Sequence, residues 1–153
     1  MCAIGGLYLK PGKKIDMRSH LEVMVQIQHH RGPDASGVWL SNDQSLGLSH
    51  NRLSILDLSL AGNQPMHSID GRYTIVFNGE IYNYLELQQQ LIVQGCQFHT
   101  NSDTEVLLKA YRHWGDSVLH KLRGMFAFAI YDHADGSLFC ARDRVGKKPF
   151  AYA

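Results

Sequence analysis

Met1-Cys2-Ala3-Ile4-Gly5-Gly6 opens this chain, and the reading of its second residue decides the rest. Removal of a methionine that precedes a small residue makes Cys2 the N-terminus. One residue then carries a thiol and a free α-amine. An α-amine titrates near ~7.7–8.0 and a thiol near ~8.5, so the amine can serve as base for its own side chain. A plainer reading makes Cys2 only the start of a strand running from Ala3 to Leu9. The segments downstream choose between the two.

With 153 residues the chain is long enough for one domain with a real core. It is 44% hydrophobic and 19% charged with a net charge of +1, which gives no general attraction to nucleic acid or to an anionic membrane. No apolar run is long enough to span a bilayer, and the first residues lack the basic-then-apolar layout expected of a secretory signal. Three cysteines do not form a disulfide framework, and a working thiol suits a reducing cytoplasm. The nine histidines include no HExxH and meet no CxxC, so no metal site is expected.

Working outward, a turn is expected at Lys10-Pro11-Gly12. Asp16 is a candidate N-cap for a helix carrying Met17, Leu21, Met24 and Ile27 at helical spacing, ending near Gly32-Pro33. Short strands follow at 37–40 and 46–55. Asp70-Gly71 reads as a two-residue hairpin between 66–69 and 72–77. Helices begin at Asn83, with Glu86 as a capping-box partner, and at Ser102, with Glu105 in that role. The first buries Leu87 and Leu91; the second has a stripe of Val106, Leu107, Ala110, Tyr111 and Trp114. Two more strands, 125–131 and 137–141, turn through Asp135-Gly136. Hairpin-linked strands with helices in the middle predict an α+β fold with antiparallel sheets. Spacing leaves open whether there is one sheet or two.

Phe77-Asn78-Gly79-Glu80-Ile81-Tyr82-Asn83 holds the second chemical feature. Asn-Gly is a strong turn signal, and local reading favours a turn there. The same pair can offer a side-chain NH2 and an unobstructed backbone N–H to an oxyanion. Arg52 reads locally as a strand arginine with a surface salt bridge, or as a fork for a carboxylate. Asp103 reads as an ordinary acidic residue at a helix start, or as the receiver of an ammonium. Arg31-Gly32-Pro33-Asp34 and Arg142-Asp143-Arg144 read as charged loops, Arg31 being placed to brace the region of the nucleophile.

Eight segments in order resemble the glutaminase domain of class II glutamine amidotransferases, of the asparagine synthase type. They are 1–4, 30–34 (His-Arg-Gly-Pro-Asp), 52–55 (Arg-Leu-Ser-Ile), 62–66 (Gly-Asn-Gln-Pro-Met), 78–83 (Asn-Gly-Glu-Ile-Tyr-Asn), 102–105 (Ser-Asp-Thr-Glu), 122–129 and 142–149. The continuation Glu80-Ile81-Tyr82-Asn83 resembles asparagine synthases rather than the hexosamine-phosphate or purine enzymes. Two positions depart from the family pattern: Ala3 where glycine is common, and Phe150-Ala151-Tyr152 where Leu-Tyr-Tyr usually follows Lys-Pro.

The resemblance implies an N-terminal-nucleophile hydrolase fold, a four-layer αββα sandwich with two antiparallel sheets, over a single domain at 1–153. It implies Cys2 as nucleophile with its α-amine as base, and Asn78 and Gly79 as the oxyanion hole. Arg52 would grip the α-carboxylate of glutamine and Asp103 its α-ammonium, Glu80 would help to fix the substrate, and Arg31 would support the pocket. It implies no cofactor in this domain; ATP and magnesium would belong to a synthetase domain with a Ser-Gly-Gly-x-Asp-Ser loop, which these residues do not include. The chain is expected to be an excised or truncated N-terminal domain, or to pair with a separate synthetase subunit, and the family also admits a homodimer. Aspartate is the expected ammonia acceptor; surface-polysaccharide or peptide amidation are the alternatives. Other N-terminal-nucleophile amidohydrolases, a non-catalytic glutamine-binding module and a purely structural domain are the rival readings.

Overall fold

The computed structural model describes residues 1–10 and 12–153. The expected turn at Lys10-Pro11-Gly12 includes Pro11, which lies outside them. Strand β1 (Ala3–Tyr8), helix α1 (Met17–Gln28), β2 (Ala35–Leu40) and β3 (Leu46–Arg52) come first. Next are β4 (Met66–His67), β5 (Tyr73–Ile81), α2 (Tyr84–Val93), α3 (Asp103–Trp114), β6 (Gly124–Asp132) and β7 (Ser137–Arg142). The strands form two antiparallel sheets, ordered β1-β3-β2 and β4-β5-β6-β7.

Four layers result. Helix α1 packs on the three-stranded sheet, and α3, paired with α2, packs on the four-stranded one. Between the latter sheet and its helices lies the main core, including Ile75, Phe77, Phe128, Leu87, Leu91 and Leu107. Leu48, Val76 and Ala129, flanked by Ile4 and Trp39, pack between the sheets. Alternation along β5 explains both faces: Ile75, Phe77 and Ile81 point to the helices, while Val76 points to the other sheet. Strand β3 is buried along its whole length because α1 covers one face and the second sheet the other.

Local signals were followed where neighbours allowed. Asp16 caps α1 by accepting from the Ser19 N–H. Met17 and Leu21 are buried, but Ile27 is exposed, since α1 turns it away from the sheet. The hairpin at Asp70-Gly71 has four connecting residues, not two. His67 pairs with Thr74, Ser68 bonds to Tyr73, and Gly71 adopts φ +69° while donating to the Ser68 carbonyl. Neither capping box closes. Asn83 stands at the N-cap of α2, but its amide reaches instead to the Lys121 carbonyl and the Arg123 N–H. Ser102 caps α3, whereas Glu105 holds the His99 and Thr100 N–H groups and pairs with Lys109. Tertiary partners outcompeted the local ones in both cases. Strand β3 also ends at Arg52, three residues earlier than expected, because Leu53 leaves the sheet to meet Cys2.

Candidate active site

Cys2 precedes β1, opposite the end of β3, since Ala3 pairs with Asn51. The Leu53 N–H donates to its Sγ at 3.4 Å, and the Leu53 carbonyl lies 3.6 Å from the sulfur. Arg31 donates from Nε to the Cys2 carbonyl at 3.4 Å, bracing the peptide behind the Cys2 side chain. The segment after Arg31 clamps the end of β3. A Cβ at Gly32 would collide with the Asn51 backbone, so only glycine permits this approach. Asp34 then donates its N–H to the Arg52 carbonyl and accepts from the Ser54 N–H at 2.8 Å.

Asn78 and Gly79 are not in a turn, contrary to the local reading. They continue β5, opposite Ala127 and Phe126 of β6. The ladder outweighs the turn propensity because β6 supplies a partner along the whole strand and Gly79 tolerates it. A Cβ there would strike the Met125 carbonyl and lie 2.7 Å from the Phe126 Cα. Register then decides where the N–H groups point. Phe126 bonds through both its N–H and its carbonyl to Asp143, so Gly79 faces it as a non-hydrogen-bonded pair. The N–H groups of Phe77, Gly79 and Ile81 therefore leave β5 on the side away from β6. Gln64 Oε1 accepts from Phe77 at 2.6 Å and Asp103 Oδ2 from Ile81 at 3.0 Å. Between those two, the Gly79 N–H opens into a cavity.

That cavity has a volume of about 90 Å³, and Cys2, Arg52, Asn78, Gly79, Glu80 and Asp103 all line it. Arg31 stands behind Cys2 rather than in the lining. Asn78 is buried, with Oδ1 unpartnered. Arg52 is buried, not a surface residue. Nη1 donates to the Ser59 carbonyl at 2.7 Å and Asn63 Oδ1 at 2.8 Å, and Nη2 to the Asp57 carbonyl. Three of the five guanidinium N–H donors are thus committed to the 57–63 loop, leaving two for a ligand. Burial, reinforced by the charge of Glu80, pushes the Asp103 carboxyl up to about 6, against the pull of its bond from Ile81. Two carboxylates facing one cavity make a site that a cation would relieve.

Four contributors escaped the sequence reading. Gln64 ties β5 to α3 through Phe77 and Thr104. Asp57 anchors the Arg52 loop through Ser59 and Asn101. Lys148 also lines the cavity. His50 donates to the Phe77 carbonyl at 3.1 Å and so pins β3 to β5 one residue before Asn78. Burial, and secondarily the Arg52 charge, lowers His50 to about 4, so it is neutral. Only Gln64 and Lys148 lay in a segment with a recognisable pattern. Their roles depend on contacts 13 to 147 residues away.

Two stacked antiparallel sheets between helical layers, with a cysteine at the head of β1, define the N-terminal-nucleophile hydrolase fold. The family model described as glutamine amidotransferase domain matches residues 1–153. The chain belongs to that family. It is 44% identical to asparagine synthetase [glutamine-hydrolyzing] 1 of Bacillus subtilis, over 99% of this chain and 24% of that protein. It is 40% identical to amidase chry2 of Gibberella zeae, again over 99% of this chain and 24% of that one. Among solved structures, the glutamine phosphoribosylpyrophosphate amidotransferase of B. subtilis superimposes with a TM-score of 0.74 at 20% identity, covering 94% of this chain and 37% of that one. The chain thus spans about a quarter of the length of the curated relatives it matches. No helix among the described residues is long and apolar enough to cross a membrane.

Proposed function

We propose that this domain hydrolyses the side-chain amide of free glutamine to glutamate and ammonia. The observation that carries the reading is the Gly79 N–H, left open between two satisfied neighbours, in the same cavity as the Cys2 thiol. Around it stand one cation, Arg52, and two anions, Glu80 and Asp103. Glutamine has a carboxylate, an ammonium and an amide, and this set answers each. Pairing both charged ends also rejects analogues that lack one, because the site's own buried groups would be left unpaired.

With Met1 removed, the Cys2 α-amine takes the thiol proton and the thiolate attacks the amide carbon. Asn78 and Gly79 hold the tetrahedral oxyanion. The α-ammonium returns its proton to the departing nitrogen, which leaves as ammonia, and a thioester remains. Water, deprotonated by the same amine, attacks the thioester, releasing glutamate and restoring the thiol. No cofactor enters these steps. Met1 lines the cavity, whose ≈ 90 Å³ is small against the ~300–1,000 Å³ of typical ligand pockets. Loss of that residue both frees the amine and makes room.

The ammonia would pass to an ATP-dependent synthetase domain or subunit, with aspartate as the leading acceptor, since the asparagine synthetase relatives share this domain at 44% identity. The equally extensive match to a protein named an amidase favours a second reading, hydrolysis of an amide other than that of free glutamine. The test uses protein whose N-terminus is verified by mass spectrometry. Glutamine should yield ammonia, and a diazoketone analogue of glutamine should label Cys2. Cys2→Ala should do neither while keeping the wild-type fold. Ammonia release by that variant, or labelling elsewhere, would refute the assignment.

A further inference from the structure

Lys148 is only 3% exposed, yet it lines the same cavity as Cys2, Asn78 and Gly79. A lysine that deeply placed is normally paired. Among the described residues its ammonium forms no ion pair. Its one side-chain hydrogen bond among them runs to Met1 Sδ at 3.2 Å, a weak acceptor for a group with three donors. The loop that delivers it is firmly built. Asp143 accepts from the N–H groups of Phe126 at 3.2 Å, Lys147 at 2.8 Å and Lys148 at 2.9 Å. Arg142 holds the Lys148 carbonyl at 2.6 Å and the Gly146 carbonyl at 2.5 Å. The cation is therefore held inside by its backbone rather than stranded there.

We propose that Lys148 is a positioning residue of the nucleophile: its ammonium stabilises the negative charge that develops on the Cys2 sulfur when the α-amine takes the thiol proton. The inference rests on the glutaminase reading and deepens it. The α-amine of Cys2 is the proton carrier, and among the described residues every other charged side chain of the cavity already has a task. Arg31, after α1, holds the Cys2 carbonyl, and Arg52 of β3 serves the α-carboxylate. Asp57 is occupied by the Ser59 and Asn101 N–H groups. Glu80 of β5 and Asp103 of α3 serve the α-ammonium, and as anions they oppose a thiolate. Lys148 is the charge left for the reacting end, where negative charge develops. Met1 caps it until processing, since the methionine that lines the cavity is also its only side-chain partner among the described residues.

The experiment uses the mature chain, with Met1 removal verified. The rate of Cys2 alkylation by iodoacetamide is followed from about pH 5 to 10, localised by peptide mass spectrometry with Cys96 and Cys140 as internal references. In Lys148→Met the midpoint for Cys2 should rise by about one pH unit, with about tenfold slower alkylation at neutral pH, as expected for loss of a nearby opposite charge. Glutamine turnover should lose a like factor in kcat with KM within about twofold, and Lys148→Arg should restore both. Lys148→Gln gives the same readout should the methionine variant not fold. An unchanged alkylation midpoint, or a rise confined to KM, would overturn the proposal. Alkylation needs no glutamine, so a shifted midpoint in a protein that releases no ammonia would refute the glutaminase reading alone. An active enzyme with no shift would refute the role of Lys148 alone.

Discussion

Replacing Asp103 by Asn should stabilise the fold while disabling the site. Asp103 is 6% exposed, and its carboxyl is pushed up to about 6 from an ordinary value of 3.8, first by burial and then by Glu80. Each tenfold step in proton affinity is worth ~1.4 kcal/mol, so keeping this group ionised at neutral pH costs the empty domain on the order of 2–3 kcal/mol. Asn is nearly isosteric and its Oδ1 can keep the 3.0 Å bond from the Ile81 N–H. The direction with pH follows from proton counting. Below the unfolded value of 3.8 both states are neutral and the cost is absent. Between 3.8 and about 6 the unfolded chain binds fewer protons than the native one, so wild-type stability falls as pH rises; above about 6 the cost is complete. Urea unfolding followed by Trp39 and Trp114 fluorescence should show the variant about 2 kcal/mol more stable near pH 7.5, with the gain vanishing near pH 4. Its glutamine KM should rise about 10- to 100-fold through loss of a charged hydrogen bond worth ~1.5–3 kcal/mol. A variant less stable than wild type near neutral pH, or a gain equally large near pH 4, would refute the reasoning.

Asn78→Ala should lower kcat by about 10²–10³-fold with little change in KM. Stability should scarcely move, since the buried Oδ1 it removes has no partner. His50 acts on pH in the opposite sense to Asp103. Its value is lowered from 6.5 to about 4 by burial, so stability is lost as pH falls through that window, where the unfolded chain binds the extra proton. His50→Gln, which can still donate to the Phe77 carbonyl, should flatten the acid limb of a stability–pH curve. An unaltered limb would place the acid sensitivity elsewhere.

Much of the fold was legible because its periodicities are local. The cap at Asp16, the faces of α2 and α3, and the β6–β7 hairpin follow from spacing along a few residues. Asn83 and Glu105 show where that logic stops. Both are good local cap residues, yet their side chains went to the Lys121–Arg123 segment and to the His99–Thr100 backbone. Asn78-Gly79 is the sharpest case. Its turn signal was overridden by pairing with β6, and that pairing is what leaves the Gly79 N–H open.

Residue types alone determined the chemistry on offer: a cysteine at position 2 behind a methionine, amide and glycine donors in one segment, an arginine and two carboxylates in others. Covalent reactivity and charge belong to side chains and survive any fold. Their assembly belonged to tertiary structure. Which way an N–H points depends on the parity of strand pairing, and whether Lys148 or His50 is buried depends on partners far along the chain. Those are properties of packing between distant segments, and no stretch of neighbouring residues encodes them.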